Sequence, residues 1–211
     1  MGSVLIIDDH PVVRMAIRIL LEHEGYSIVG ETDNGVDALQ MVRDCEPDLV
    51  ILDICIPKLD GLELLELLER LGNMPKPSRI LVLTAQSAAL FANRCMRAGA
   101  CGYVCKQEDM SELLSAIKAI CSGYNYFPSQ ALQVDRITFG SPLELAQFNS
   151  LNDRELMVLQ LFAMGQTNKE IAAGMFLSNK TVSTYKKRIM QKLATTSMSE
   201  LVDMAKRNAL I

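Results

Sequence analysis

Long apolar runs are missing from this sequence. No stretch approaches the roughly 18 uninterrupted apolar residues of a membrane span, and acidic residues begin at Asp8. Neither a transmembrane helix nor a secretory leader is therefore expected, and the expected location is the cytoplasm, without a membrane partner. Paired-cysteine spacing is missing as well. Cys45, Cys55, Cys95, Cys101, Cys105 and Cys121 form no CxxC, and neither His10 nor His23 lies near them in the chain. That argues against a zinc cluster or a disulfide framework and leaves buried, reduced thiols as the expectation. Cys55 and Cys105 fall close to candidate site residues, but no pattern around either would stabilise a thiolate.

What is present is an uneven distribution of charge. A chain of 211 residues is long enough for two small domains, each with a core. Residues 1–148 carry 12 Lys/Arg against 20 Asp/Glu, net −8, and residues 149–211 carry 9 against 5, net +4, which sum to the −4 of the whole chain. The acidic total hides a basic C-terminal third, the part suited to meet a polyanion.

The hydrophobic pattern divides the chain at the same place. Val4–Ile7, Ser27–Glu31, Leu49–Leu52, Ile80–Leu83 and Gly102–Val104 read as strands, while 11–24, 35–45, 61–71, 87–98 and 109–121 place apolar residues at helical spacing. Five βα units with near-continuous apolar strands predict an α/β domain over 1–121, a doubly wound parallel sheet covered on both faces. Residues 122–148, with Gly123, Asn125, Pro128, Gly140, Ser141 and Pro142, read as a linker. Its first half, with Tyr124, Tyr126 and Phe127, also suits a packed extension of the last helix. Over 149–211 the segments 153–164, 168–175, 179–192 and 199–208 predict an all-α domain of four helices, the third of them basic.

Ligands of such parallel sheets bind beyond the carboxyl ends of the strands, and five chemically compatible residues fall there. Asp8 and Asp9 follow the first strand, Asp53 the third, Thr84 ends the fourth and Lys106 follows the fifth. Carboxylates about 4 Å apart repel by roughly 4 kcal/mol per pair at an effective dielectric near 20, so a cation must join them. With no His or Cys expected as a ligand at this edge, oxygen donors favour Mg²⁺ over Zn²⁺. A carboxylate beside Mg²⁺ can attack a phosphoryl group, while Lys106 and the Thr84 hydroxyl neutralise its equatorial oxygens. Any one of these aspartates alone would be explained equally well as a helix cap; the set of five would not.

The runs that carry these residues, Val4-Leu-Ile-Ile-Asp-Asp-His-Pro11, Leu49-Val-Ile-Leu-Asp-Ile-Cys-Ile-Pro-Lys-Leu-Asp-Gly61, Val82-Leu-Thr-Ala85 and Gly102-Tyr-Val-Cys-Lys106, resemble the receiver domain of two-component response regulators. The resemblance implies that Asp53 is the phosphoacceptor, and that Asp8, Asp9, Asp53 and the backbone carbonyl of Cys55 hold the metal. It also implies that Thr84 and Tyr103 reorient on phosphorylation and that Lys106 contacts the phosphoryl group. Gln107 stands where many receivers have Pro, which removes the basis for a cis peptide there. The Asp53 chemistry also suits a phosphohydrolase, but such enzymes usually place a second Asp two residues on, where this chain has Cys55.

In the basic tail, Ser178 is placed to cap helix 179–192. Val182, Tyr185, Ile189 and Leu193 should face the core, leaving Ser183, Thr184, Lys187 and Gln191 opposite, bordered by Lys180, Lys186, Arg188 and Lys192. Such a stripe fits a DNA major groove. Leu151-Asn-Asp-Arg-Glu155, Gly165-Gln-Thr-Asn-Lys-Glu-Ile-Ala172 and Leu177-Ser-Asn-Lys-Thr-Val-Ser-Thr-Tyr-Lys-Lys-Arg-Ile189 resemble the LuxR-type helix-turn-helix of the NarL/FixJ regulators. By that resemblance Ser183, Thr184 and Lys187 approach bases, and Lys169, Lys180, Thr181 and Lys186 approach phosphates. Leu201, Met204 and Ala205 match the element through which these domains pair. The implied protein is a non-enzymatic, dimeric, promoter-binding regulator that takes its phosphoryl group from a sensor histidine kinase or phosphotransfer domain, with RNA polymerase as a further partner. The likeness to virulence-type members of the family runs over nearly the full length.

Overall fold

The computed structural model describes residues 2–56, 64–65, 78–129, 142–175 and 177–207. The chain forms two compact units, Met1–Leu132 and Gln133–Ile211. Among the described residues no helix is long and apolar enough to cross a membrane.

The first unit alternates strands and helices: β1 (Ser3–Ile7), α1 (Pro11–His23), β2 (Ser27–Thr32), α2 (Gly35–Cys45), β3 (Leu49–Leu52), β4 (Arg79–Thr84), α3 (Ala88–Arg97), β5 (Gly102–Cys105) and α4 (Met110–Cys121). The helix expected over 61–71 lies outside the described residues, apart from the helical, buried Leu64 and Leu65. The strands run parallel in the order β2-β1-β3-β4-β5. Because side chains alternate along a strand, Val4, Ile6, Leu49, Ile51, Leu81 and Leu83 meet Ile17 and Leu21 of α1 and Leu113, Ile117 and Ile120 of α4 in one core. Leu5, Ile7, Val50, Leu52 and Val82 have the opposite parity and are equally buried. Local chemistry sets the helix starts: Pro11 occupies the first turn of α1, where a missing N–H costs nothing, and Asn34 caps α2 by accepting from the Asp37 amide at 3.1 Å.

Register positions the site. Ile7 pairs with Leu52, and the Asp53 amide donates to the Ile7 carbonyl at 2.8 Å. Asp8 and Asp53 thus leave the sheet side by side. On the far side Thr84 pairs with Cys105, and the Lys106 amide donates to the Thr84 carbonyl at 2.8 Å.

The second unit contains α5 (Pro142–Asn149), α6 (Asp153–Ala163), α7 (Asn168–Gly174), α8 (Asn179–Lys192) and α9 (Met198–Arg207). All of helix α5 but its last residue, Asn149, falls within the stretch 122–148 read as linker. Gly140, Ser141 and Pro142 read as breakers, yet Pro at a first helical position is also a start signal, and the buried Phe148 and Leu151 carry the segment into a core. Capping boxes open α6 and α7, in which Asn152 and Thr167 exchange hydrogen bonds with Glu155 and Glu170. Gly165, at φ +83°, makes the turn between these helices in the left-handed region that glycine enters freely.

Helix α1 offers a direct check on the packing, because Ile17 is 1% exposed and Ile19 61% exposed. Ile17→Ala should destabilise the first unit by about 2–5 kcal/mol, whereas Ile19→Ala should change it by no more than about 0.5–1 kcal/mol. Urea unfolding followed by circular dichroism reads the difference.

Candidate functional site

Beyond the strand ends, Asp8 and Asp53 are each 2% exposed and Thr84 is fully buried. The Lys106 ammonium lies 2.5 Å from Asp53 Oδ2 and 2.7 Å from Asp8 Oδ2. One cation therefore joins two buried carboxylates. The remaining oxygens are also engaged, Asp8 Oδ1 accepting from the His10 amide at 2.9 Å and Asp53 Oδ1 from the Cys55 amide at 2.9 Å. Burial raises the Asp8 pKa despite the opposing pull of Lys106. For Lys106, burial acts downward, but the hydrogen bonds and charges of Asp53 and Asp8 outweigh it and the ammonium is held more firmly than usual.

The donor set suits a hard divalent cation. One oxygen from each of Asp8, Asp9 and Asp53 lies, with a nitrogen of His10, inside a cluster whose members are all within 4.8 Å of one another. Asp9 Oδ1 is a buried carboxylate oxygen, a donor of the kind that a hard divalent ion takes. The ring of His10 corrects one step of the sequence argument. A histidine does stand at this edge, with Nδ1 2.6 Å from Asp9 Oδ1; its adjacency in sequence to the aspartate pair was the available signal. The site remains predominantly oxygen.

Next to the carboxylates, Gln86 Nε2 donates to Cys55 Sγ at 3.0 Å, and the Gln86 amide approaches Thr84 Oγ1 at 3.4 Å. Tyr103, 1% exposed, donates its hydroxyl to the Gln86 carbonyl at 2.7 Å. Burial is the main cause that raises the Tyr103 phenol and takes the Cys55 thiol up to about 12, which favours the neutral thiol at Cys55. All six cysteines are free, but the expectation of burial holds fully for Cys95 alone; Cys121 is exposed. No cis peptide bond occurs among the described residues, Lys106–Gln107 included.

In the second unit Ser178 caps α8 by accepting from the Thr181 amide at 3.0 Å. Val182, Ile189 and Leu193 are buried and Tyr185 is half-buried. Lys180, Ser183, Thr184, Lys187, Arg188 and Gln191 form the exposed side, with Lys169 exposed on α7 and Thr181 half-buried. Asn168 Nδ2 donates to Ser183 Oγ at 3.1 Å, fixing α7 against α8. Lys186 places its ammonium 5.8 Å from the centre of the Phe162 ring, a cation–π distance.

Two expectations for this unit need correction. Lys192 does not border the exposed stripe as a free cation: it lies 2.6 Å from Glu155 Oε2 and donates to the Ser150 carbonyl at 2.8 Å. Glu155 is 2% exposed, and a buried carboxylate requires such a partner. Leu201, Met204 and Ala205 are buried, in the core of their own unit, and are not available to a second copy. The accessible side of α9 carries Ser199, Glu200, Asp203, Lys206 and Arg207 instead. Period alone cannot distinguish a helix stripe that faces its own core from one that faces a partner.

Residues 4–118 match the family model of the response regulator receiver domain, and residues 149–205 that of the bacterial regulatory proteins of the luxR family. The virulence-factor positive transcription regulator BvgA of Bordetella pertussis is 55% identical over 99% of both chains. The DNA-binding transcriptional activator EvgA of Escherichia coli is 36% identical over 99% of both. Among solved structures, the response regulator RcsB of Salmonella enterica serovar Typhimurium, bound to the promoter rprA in the presence of phosphomimetic BeF₃⁻, superposes with a TM-score of 0.56 at 27% identity, covering 98% of this chain and 99% of that one.

The Glu155–Lys192 pair generates its own test. Lys192 is 37% exposed, so solvent screening reduces the cost of losing it below that of a fully buried pair, to about 1–2 kcal/mol. Lys192→Ala should lower the thermal stability of the second unit accordingly, while Lys187→Ala on the exposed side should change it by less than about 0.5 kcal/mol.

Proposed function

The chain belongs to the two-component response regulators that join a receiver domain to a LuxR-family DNA-binding domain, and from that premise we propose that phosphorylation of Asp53 governs promoter binding by helix α8. A receiver implies a kinase as partner, and the donor in this reading is the phosphohistidine of a sensor kinase or phosphotransfer domain. The observation that carries the proposal is Lys106 bridging Asp53 and Asp8 at 2.5 and 2.7 Å, with an oxygen of Asp9 in the same cluster, whose ligand atoms all lie within 4.8 Å of one another.

In the transfer step an Asp53 carboxylate oxygen forms a bond to phosphorus as the bond to the donor nitrogen breaks, and the departing imidazole takes up a proton. The product is an acyl phosphate. Asp8, Asp9, Asp53 and the Cys55 carbonyl are the proposed Mg²⁺ ligands, and the ion supplies charge neutralisation at the phosphoryl oxygens. Lys106, with its amide fixed to β4, neutralises one equatorial oxygen. Thr84 donates its hydroxyl to another, and Tyr103 moves with the loop that Thr84 anchors. The chain's own chemistry ends with acceptance of the phosphoryl group and its loss to water.

For the output we divide the chain into a receiver at 1–121, a linker at 122–148 and a DNA-binding domain at 149–211. Ser183, Thr184 and Lys187 are assigned to base edges, and Lys169, Lys180, Thr181 and Lys186 to phosphates. A homodimer would place two α8 helices about one DNA turn apart, and the exposed side of α9 is the element we assign to pairing in this domain. The active dimer works in the cytoplasm and presents bound promoter DNA to RNA polymerase.

Acetyl phosphate with Mg²⁺ should add one phosphoryl group, visible by intact-protein mass spectrometry and absent from Asp53→Asn; a modified Asp53→Asn protein would sink the assignment. Lys187→Ala should cost about 1–3 kcal/mol of binding to selected DNA and relax the sequence preference. Lys180→Ala should instead weaken binding to all sequences and lower the slope of log affinity against log salt by about one. Indistinguishable effects from the two would remove the division into base and phosphate contacts.

A further inference from the structure

His10 occupies the N-cap of α1, the position from which Asn34 and Ser178 cap their own helices with a side-chain oxygen. The His10 side chain makes no such bond. Its ring faces the acidic pair instead, with Nδ1 2.6 Å from Asp9 Oδ1 and 3.4 Å from Asp8 Oδ1. The backbone beneath it is tied down. The His10 amide donates to Asp8 Oδ1 at 2.9 Å, the His10 carbonyl accepts from the Val13 and Arg14 amides at 3.1 Å each, and Arg14 Nη1 donates to the Asp8 carbonyl at 2.6 Å. Pro11 follows at once and restricts the turn further. The His10 side chain is 65% exposed, so the turn, not packing around the ring, delivers it to the pocket.

The consequence lies in the donor set. One nitrogen of His10 and one oxygen from each of Asp8, Asp9 and Asp53 lie within 4.8 Å of one another, and no other group of three or more His, Cys, Asp or Glu side chains with that property occurs among the described residues. Carboxylates, carbonyls and water suit Mg²⁺, which requires six donors and draws little from an imidazole. Four side-chain donors that include an imidazole are what zinc-class ions of the first transition row take. The chain's other histidine supplies the contrast: His23 is 85% exposed and faces Glu24 at 4.0 Å, outside any such group.

We propose that His10 is a metal ligand of this pocket, and that with Asp8, Asp9 and Asp53 it forms a site for a zinc-class divalent ion that competes there with Mg²⁺. This rests on the reading of the three aspartates as metal ligands and adds the residue that decides which ions they take. A histidine that merely held Asp9 in place would support every ion alike, because it would act through a carboxylate common to all of them. A histidine that ligates supports only ions with an affinity for nitrogen. The ratio of the Zn²⁺ and Mg²⁺ affinities separates the two roles.

The test uses the full chain carrying Cys121→Ser, which removes the exposed thiol as a rival zinc ligand, with ¹⁵N in its histidines. One equivalent of Zn²⁺ should shift a ring nitrogen of His10 in long-range ¹H–¹⁵N spectra and leave His23 in place, while saturating Mg²⁺ should shift neither. In calorimetric titrations His10→Ala should lower the ratio of Zn²⁺ to Mg²⁺ affinity by at least about tenfold. The ring makes no cap bond, so its removal leaves the start of α1 intact, and the ring spectra decide the matter without the variant if it fails to fold. An unshifted His10 ring under Zn²⁺ overturns the proposal, as does a folded His10→Ala protein whose affinity ratio is that of its parent. Mg²⁺ binding that persists alongside a silent His10 ring confines the failure to the histidine. A parent protein that binds no Mg²⁺ at millimolar concentration overturns the metal site of the proposed function, and the place of His10 in it.

Discussion

Two buried carboxylates that share one ammonium are the constraint on which the receiver unit depends. Asp8 and Asp53 leave adjacent parallel strands in register, so the sheet that makes the core also forces two like charges together. At about 4 Å and an effective dielectric near 20, each such repulsion is worth roughly 4 kcal/mol. Lys106 meets both from the far side of β4, held there by the backbone bond from its own amide to Thr84. Asp8, Asp9 and Asp53 would hold a divalent ion, whose charge would take over their neutralisation and free the ammonium for an incoming anion. The same geometry that threatens the fold therefore sets up the chemistry.

The helical unit solves a similar problem in a similar way. Glu155 is buried because it closes the capping box of α6, accepting from the Asn152 amide at 2.9 Å, and Lys192 at the end of α8 supplies the cation. That ion pair ties the start of α6 to the end of α8, and the Asn168–Ser183 bond ties α8 to α7. Rigidity of α8 lets a few exposed side chains be presented in a fixed pattern, which base-edge contacts demand.

Much of this was legible in the sequence, and the gaps have physical causes. Strand β3 and helices α2 and α8 have the bounds that periodicity predicts, because apolar spacing and local caps act within a few residues. The grouping of Asp8, Asp9, Asp53, Thr84 and Lys106 followed from the rule that parallel strands deliver their C-terminal ends to one edge. Three features depended on tertiary facts instead. Whether Lys192 points to solvent is decided by a carboxylate 37 residues away. Whether Leu201, Met204 and Ala205 face a core or a partner is decided by α6. The parallel bridge that Tyr126 makes to Gly102 at the edge of β5 is decided by the missing side chain of that glycine, whose role in sequence looks like that of any strand-initiating residue. Each is a long-range choice that a local pattern leaves open.

The shared-cation account is tested most directly by thermal unfolding of wild type and Lys106→Met at neutral pH, with and without millimolar Mg²⁺. Without the ion, the variant should melt well below wild type, because Asp8 and Asp53 lose their common partner. Adding Mg²⁺ should recover most of the difference and should stabilise the variant more than the wild type. A Lys106→Met protein that melts with wild type in the absence of Mg²⁺, or one that Mg²⁺ leaves unchanged, would contradict the account.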